Sequence, residues 1–264
     1  MEEVFVTGRE ELFYLKETQL FKNLRTLILI KTGLTWKSFF KVLPVFRNVH
    51  EFILCKNNLS DTENIDKTKL DCLEETRFLN LEETRLFEFS DLHAFSKLPK
   101  LEKLILNRNE LKTVGKDITG FSALKHLSAQ FCAFEKPVVL ARLSEIKSIE
   151  SINVKHNPMG DKLGHAYIRM RAVAEFPQLT HINGAWLKKL ERKDFEIYYM
   201  RETFREYFTL KKVPDYNYDY EDFLRYCEIH HPNVPRLIKK YGNPYEVEGT
   251  LEFIQRSRRS RTRS

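Results

Sequence analysis

One stretch restricts the fold of this chain more than any other: Leu101-Glu102-Lys103-Leu104-Ile105-Leu106-Asn107-Arg108-Asn109-Glu110-Leu111. Leucine stands at its first, fourth, sixth and eleventh positions and asparagine at its ninth. In a strand successive side chains point to opposite faces, so Leu104 and Leu106 share one side. Leu101 and Leu111 turn in on that side where the chain enters and leaves the strand. The short amide of Asn109 can bond backbone groups that the turn leaves unpaired. A coil built this way cannot cover its own apolar side, so it predicts neighbours of the same build stacked against it.

The neighbours are present. The pattern recurs with its first position at Leu24, Val49, Thr76, Leu101, Leu124 and Ile149, in steps of 25, 27, 25, 23 and 25 residues. The fourth and sixth positions are Leu27/Leu29, Phe52/Leu54, Leu79/Leu81, Leu104/Leu106, Leu127/Ala129 and Ile152/Val154. The ninth holds Thr32, Asn57, Thr84, Asn109, Cys132 and Asn157; the eleventh holds Leu34, Leu59, Leu86, Leu111, Phe134 and Met159. Six coils in register define a leucine-rich-repeat solenoid of α/β class. Its short parallel strands line a concave face and its helices a convex one. Convex helices are expected over residues 36–43, 92–98 and 138–146, and a longer one over 160–176 with Leu163, Tyr167, Met170 and Val173 on its apolar face. Leu43-Pro44, Leu98-Pro99 and Phe176-Pro177 close such segments, because the residue before proline is pushed out of the helical region.

The expected organisation is a lead-in and capping segment over residues 1–23, six repeats over 24–178, a C-terminal cap over 179–212, a helical extension over 213–250 and a disordered Arg/Ser tail over 251–264. Val4 lies 25 residues before Leu29, so the lead-in can begin inside an earlier coil, with Arg9-Glu10-Glu11 as its polar cover. The cap has two signals. Residues 178–187 repeat a strand start without the third leucine, and Glu191-Arg192 then opens a charged, aromatic helix to about Phe208. A tyrosine-rich acidic link over 215–222 leads to one further expected helix over 223–242.

Charge and motifs exclude several functions. The net charge of +7 favours an acidic partner, though part of it sits in residues 256–264. No run of 18 or more apolar residues suggests a membrane span, and the acidic start does not read as a signal peptide. Cys55, Cys72, Cys132 and Cys227 are too scattered for a disulfide framework or zinc site and suit reduced thiols in the cytosol or nucleus. His50, His126, His156 and His181 have no ligand partners at metal spacing, and adjacent His230-His231 cannot chelate together. No phosphate-cradling or nucleophile motif is present. The sequence therefore predicts a protein that is not an enzyme and carries no cofactor.

Non-leucine strand positions would face the concave surface. There the fifth positions are Ile28, Ile53, Asn80, Ile105, Ser128 and Asn153, and the seventh Ile30, Cys55, Glu82, Asn107, Gln130 and Lys155. The eighth are Lys31, Lys56, Glu83, Arg108, Phe131 and His156, with Phe78 and His126 at third positions. Exposed apolar groups among charges mark protein contact surfaces. The residues expected to bind a protein partner are Ile53, Lys56, Phe78, Lys103, Ile105, Asn107, Arg108, Phe131, Lys155 and His156. Alternatively, the isoleucines serve only edge-to-edge packing along the sheet.

The cap and the segment beyond it resemble a known family. Asn157-Pro158-Met159, a helix with Arg169, Arg171 and Ala172, then Leu179-Thr180-His181-Ile182-Asn183, Glu191-Arg192 and Tyr198 look like tubulin-specific chaperone E (tubulin-folding cofactor E). His231-Pro232-Asn233-Val234, Leu237 and Lys240-Tyr241-Gly242-Asn243-Pro244 resemble that family's "H-P…L…K-Y-G-x-P" stretch. The resemblance spans residues 20 to about 245. It implies a cytoplasmic, cytoskeleton-associated cofactor that binds alpha-tubulin during assembly and disassembly of the tubulin heterodimer. Beta-tubulin and other tubulin-folding cofactors are further implied partners. The family carries a CAP-Gly domain before its repeats and a ubiquitin-like domain at its end, and this sequence is expected to lack both. The cap and the Arg/Ser tail also fit a nuclear scaffold of a splicing ribonucleoprotein, the tail leaving nucleic-acid binding open. The repeats alone fit a phosphatase regulator.

Overall fold

The computed structural model describes residues 2–7, 21–115, 118–212 and 218–245. Arg9-Glu10-Glu11 and the Arg/Ser tail lie outside them. The chain divides into two compact units: Met1–Arg169 with Phe176–Leu187, and Met170–Glu175 with Lys188–Ser264.

In the first unit the described strands form one sheet in chain order: β1 (Glu3–Thr7), β2 (Thr26–Ile30), β3 (Glu51–Ile53), β4 (Phe78–Asn80), β5 (Lys103–Ile105), β6 (His126–Ser128), β7 (Ser151–Asn153), β8 (His181–Ile182) and β9 (Ala185–Trp186). All neighbours are parallel except β8 and β9. Leu27, Phe52, Leu79, Leu104, Leu127, Ile152 and Ile182 stand in one column. Every first, fourth, sixth, ninth and eleventh position of the six repeats is buried. The unit is a leucine-rich-repeat solenoid.

The ninth-position asparagines join one coil to the next. Asn109 Oδ1 accepts from the backbone N–H of Thr84 (3.0 Å) and Leu86 (3.1 Å), 25 and 23 residues back. Its Nδ2 donates to the carbonyls of Leu81 (2.8 Å) and Leu106 (2.9 Å). Asn57 makes the same set to Thr32, Leu34, Leu29 and Leu54. Asn157 bonds Phe134, Ala129 and Val154.

Four details depart from the sequence reading. β1 pairs Val4 with Leu27 and Val6 with Leu29, two residues from the expected alignment of Val4 with Leu29. Residues Phe89–Lys97 form a 3-10 helix where an α-helix was expected. The spacing explains it: Phe89, Leu92 and Phe95 recur every third residue, which keeps them on one face only at three residues per turn. By contrast Trp36, Phe39 and Phe40 follow the α-helical period in α1 (Trp36–Val42), and so do Val139, Leu140 and Leu143 in α2 (Val138–Leu143). Asp61 of the following repeat accepts from the first N–H groups of α1, those of Trp36 (2.9 Å) and Lys37 (3.2 Å). The single helix expected over 160–176 is two, α3 (Pro158–Leu163) and α4 (His165–Glu175). Gly164 at φ +88° ends α3, and Leu163, assigned to the buried face, is 46% exposed.

The second unit is helical: the end of α4, then α5 (Lys189–Lys211), α6 (Tyr220–His230) and α7 (Val234–Tyr241). The one helix expected over 223–242 is broken at His231-Pro232-Asn233. Proline has no N–H to give, and its ring clashes with the carbonyl one turn back. Its aromatic core stacks Phe204 on Phe223 at 3.9 Å. Two carboxylates lie fully buried among the helices. Glu175 accepts from Tyr199 Oη (2.9 Å) and Asn233 Nδ2 (2.7 Å). Glu196 meets Lys240 Nζ, Tyr241 Oη (both 2.6 Å) and Arg192 (3.3 Å). His231 is buried between Tyr199 Oη (2.7 Å from Nδ1) and Glu206 (3.3 Å from Nε2). The bond to His231 holds the Glu206 carboxyl down at about 2, helped by Tyr226 and opposed by burial.

Both units yield a stability test. Asn109→Ala orphans buried backbone groups on two coils and should lower unfolding free energy by about 3 kcal/mol in urea titrations. Asn58→Ala, at an exposed position on the turn of the second coil, should change it by less than about 0.5 kcal/mol. Because the Glu206 pKa is depressed on folding, its contribution is complete above the unfolded value of 4.5 and is lost as pH falls towards about 2. Glu206→Gln should therefore flatten the fall in melting temperature between about pH 5 and about pH 3, followed by circular dichroism.

Candidate protein-binding surface

The ten expected contact residues fall into two rows. Ile53, Phe78, Lys103 and Ile105 lie on strands; Asn107 and Lys155, at seventh positions, lie two residues beyond the ends of β5 and β7. Ile53, Phe78 and Ile105 are half-buried by their sheet neighbours, and Lys103 Nζ sits 4.8 Å from the centre of the Phe78 ring. Asn107 Oδ1 accepts from Ser128 Oγ (2.8 Å) and the Gln130 N–H (3.0 Å), which ties it to the next coil.

The second row is Lys56, Arg108, Phe131 and His156, and the structure places it on the turns, not on the strands. Continued alternation would send an eighth residue inward with the leucines. Instead Lys31, Lys56, Glu83, Arg108, Phe131 and His156 all have φ between 53° and 58°. This left-handed conformation, which costs a side-chain-bearing residue roughly 1–2 kcal/mol, swings each one outward. Here Arg108 Cζ lies 4.6 Å from the Phe131 ring centre and 3.4 Å separates its Nε from Glu82. Phe131, 44% exposed, stacks on His156 at 4.2 Å and 12°. Guanidinium, phenyl and imidazole thus form one continuous pile across three coils.

Two depressions accompany these rows. One of about 350 Å³ lies on the strand face, with Lys103, Ile105, His126, Ser128 and Asn153 beneath Gly184. The other, about 540 Å³, lies on the turns among Lys31, Lys56, Arg85, Arg108, Glu83 and Glu110.

Three exposed groups escaped the sequence reading. Phe5, 59% exposed, continues the fifth-position row through Ile28 and Ile53; the expected alignment would have set it two places on, opposite Ile30 on the same face. Arg85 is a second left-handed residue (φ 64°) of the third coil. Trp186, 63% exposed, meets His181 edge-on at 4.8 Å. Its signal was Asn183-Gly184, both at positive φ, the two-residue turn that closes the β8–β9 hairpin.

Catalytic and metal chemistry find little here. The four cysteines are free and buried, and burial pushes the Cys132 thiol up to about 12. Among the described residues no group of three or more His, Cys, Asp or Glu could hold a metal ion, and no helix is long and apolar enough to cross a membrane.

No family model matches the chain. Among solved structures it is similar to a chain of the SNF/U2A′ complex of Drosophila melanogaster (20% identity, 54% of this chain and 78% of that one, TM-score 0.45). It is also similar to an internalin of Listeria monocytogenes (19%, 72% and 49%, TM-score 0.46). These scores add nothing to the fold read from the strand column. Among curated proteins it is 27% identical over 245 residues to tubulin-specific chaperone E of Mus musculus, covering 88% of this chain and 44% of that protein. Tubulin-folding cofactor E of Arabidopsis thaliana is 24% identical over 238 residues, 86% of this chain and 42% of that protein. The human protein of the first name is 25% identical over 235 residues, 85% and 43%. The chain spans less than half the length of the curated relatives it matches. Over its repeats and the helical unit beyond them, the chain is a relative of the tubulin-specific chaperone E proteins.

Proposed function

We propose that this chain is a non-enzymatic tubulin-folding cofactor of the cytoplasm that binds alpha-tubulin as the heterodimer is assembled and taken apart. The observation that carries the reading is a match over 88% of the chain to tubulin-specific chaperone E of Mus musculus. Any leucine-rich-repeat protein could match the coils, but this match must run past them into the helical unit. The strand face supplies a suitable surface. Phe5, Ile28, Ile53 and Phe78 give it half-buried or exposed apolar area, and Lys103 and Lys155 add positive charge towards an acidic partner.

The test is capture of purified tubulin by the immobilised chain, with alpha- and beta-tubulin identified separately. Alpha-tubulin should be retained, and Phe78→Ala with Lys103→Glu should weaken capture about tenfold or more with the melting temperature unchanged. A chain that ignores tubulin while a full-length relative captures it would sink the proposal.

A further inference from the structure

We propose that the row of outward-turned residues on the first four coils is a docking strip for an acidic peptide segment of a partner protein. This goes beyond the tubulin reading, which concerns the strand face, and the two stand or fall separately.

The backbone is the first argument. Each turn requires the left-handed conformation at its eighth position, where glycine or asparagine would be least strained. Yet the six positions hold Lys31, Lys56, Glu83, Arg108, Phe131 and His156. Folding of the turn does not call for these side chains, and strain retained on an exposed row points to a use for it.

Charge is the second. Lys31, Lys56, Arg85 and Arg108 converge on the 540 Å³ depression. Among the described residues Arg108 alone of the four has a carboxylate within 4.0 Å, Glu82 at 3.4 Å. The depression therefore offers cations with unspent capacity for carboxylates, arranged along adjacent coils about 4.8 Å apart.

The third argument selects a peptide over a nucleic acid. Glu83 and Glu110 line the same depression. They would repel the unbroken charge of a phosphate backbone, whereas a peptide can place N–H groups or neutral residues opposite them. The strip also runs directly into the Arg108–Phe131–His156 pile. Its exposed aromatic surface suits an aromatic side chain carried in the same segment. The ligand is thus an acidic, extended peptide with acidic residues interspersed among neutral ones and an aromatic residue at one end.

The probe is a fluorescein-labelled Glu/Gly peptide bearing one Tyr, followed by anisotropy. Binding should weaken as salt is raised. The variant Lys31→Gly/Lys56→Gly/Arg108→Gly should bind about tenfold or more weaker, with a melting temperature unchanged or raised, because glycine relaxes the turns. Glu83→Lys should tighten binding. If the glycine variant melts lower, Lys31→Gln/Lys56→Gln/Arg108→Gln carries the same expectation with the backbone left alone. Undiminished binding by either triple variant overturns the proposal. So does single-stranded DNA of matched charge that binds as tightly as the peptide and is lost with it in the variants. The strand-face variant Phe78→Ala/Lys103→Glu should keep the peptide; its loss there would move the site off the turns and overturn the strip as well.

Discussion

The solenoid depends on one kind of hydrogen bond, that from a ninth-position asparagine to the coil before it. Strands β3 to β7 are only three residues long, so the sheet ladder alone fixes little. Asn57, Asn109 and Asn157 each serve both an acceptor and a donor role towards backbone groups more than 20 residues away. The intervening coils have Thr32, Thr84 and Cys132 at this place. These cannot do the same: Thr84 Oγ1 donates to its own coil's Leu81 carbonyl, and Cys132 Sγ reaches a single carbonyl of the previous coil at 3.3 Å. The ninth-position asparagines therefore stitch the coils in pairs, each reaching back to a threonine or cysteine coil. The backbone ladder and the buried leucines join one pair to the next, with Asn107 and Cys132 adding side-chain bonds between the fourth and fifth coils.

The same turn that positions the asparagine decides what the surface looks like. A strand that ended without a left-handed residue would carry its eighth side chain into the core, beside the leucines. Positive φ at that step sends it out, so the residue next to the structural asparagine is free to carry charge or a ring. The cost falls on the backbone, and the apolar column beneath supplies the burial that offsets it, roughly 1.5–3 kcal/mol for each fully buried Leu or Phe. Core and surface are thus separated by a single dihedral angle per coil.

This division also decides how much of the molecule is legible in its sequence. The leucine column was legible because each apolar position recurs with the coil, and all of these positions are buried. The 3-10 segment at Phe89–Lys97 was misread as α-helix although its spacing of three was in view, because periods of 3.0 and 3.6 differ little over so few residues. Gly164 was passed over as an interior glycine, and only its φ shows that it ends a helix. The expected contact residues could not be sorted into rows, since strand and turn positions are distinguished by φ, which no residue type at those places announces. Lys56 and Arg108 look no different in sequence from Lys103, yet they occupy another row.

The helical unit shows a different kind of legibility. His231, Asn233, Lys240 and Tyr241 form a recognisable string in the sequence without disclosing what each of them does. In the structure none of them is spent on an outward task alone. Asn233 bonds Glu175, Lys240 and Tyr241 converge on Glu196, and His231 joins Tyr199 to Glu206. Glu175 and Glu196 are fully buried, and a buried carboxylate stripped of a partner costs far more than the pair contributes over an apolar substitute. His231 and Asn233 are thus tied through Tyr199 and Glu175, and Lys240 and Tyr241 through Glu196. Substituting one leaves a charge or a donor stranded, whereas exchanging one leucine of a coil for isoleucine leaves the apolar column intact.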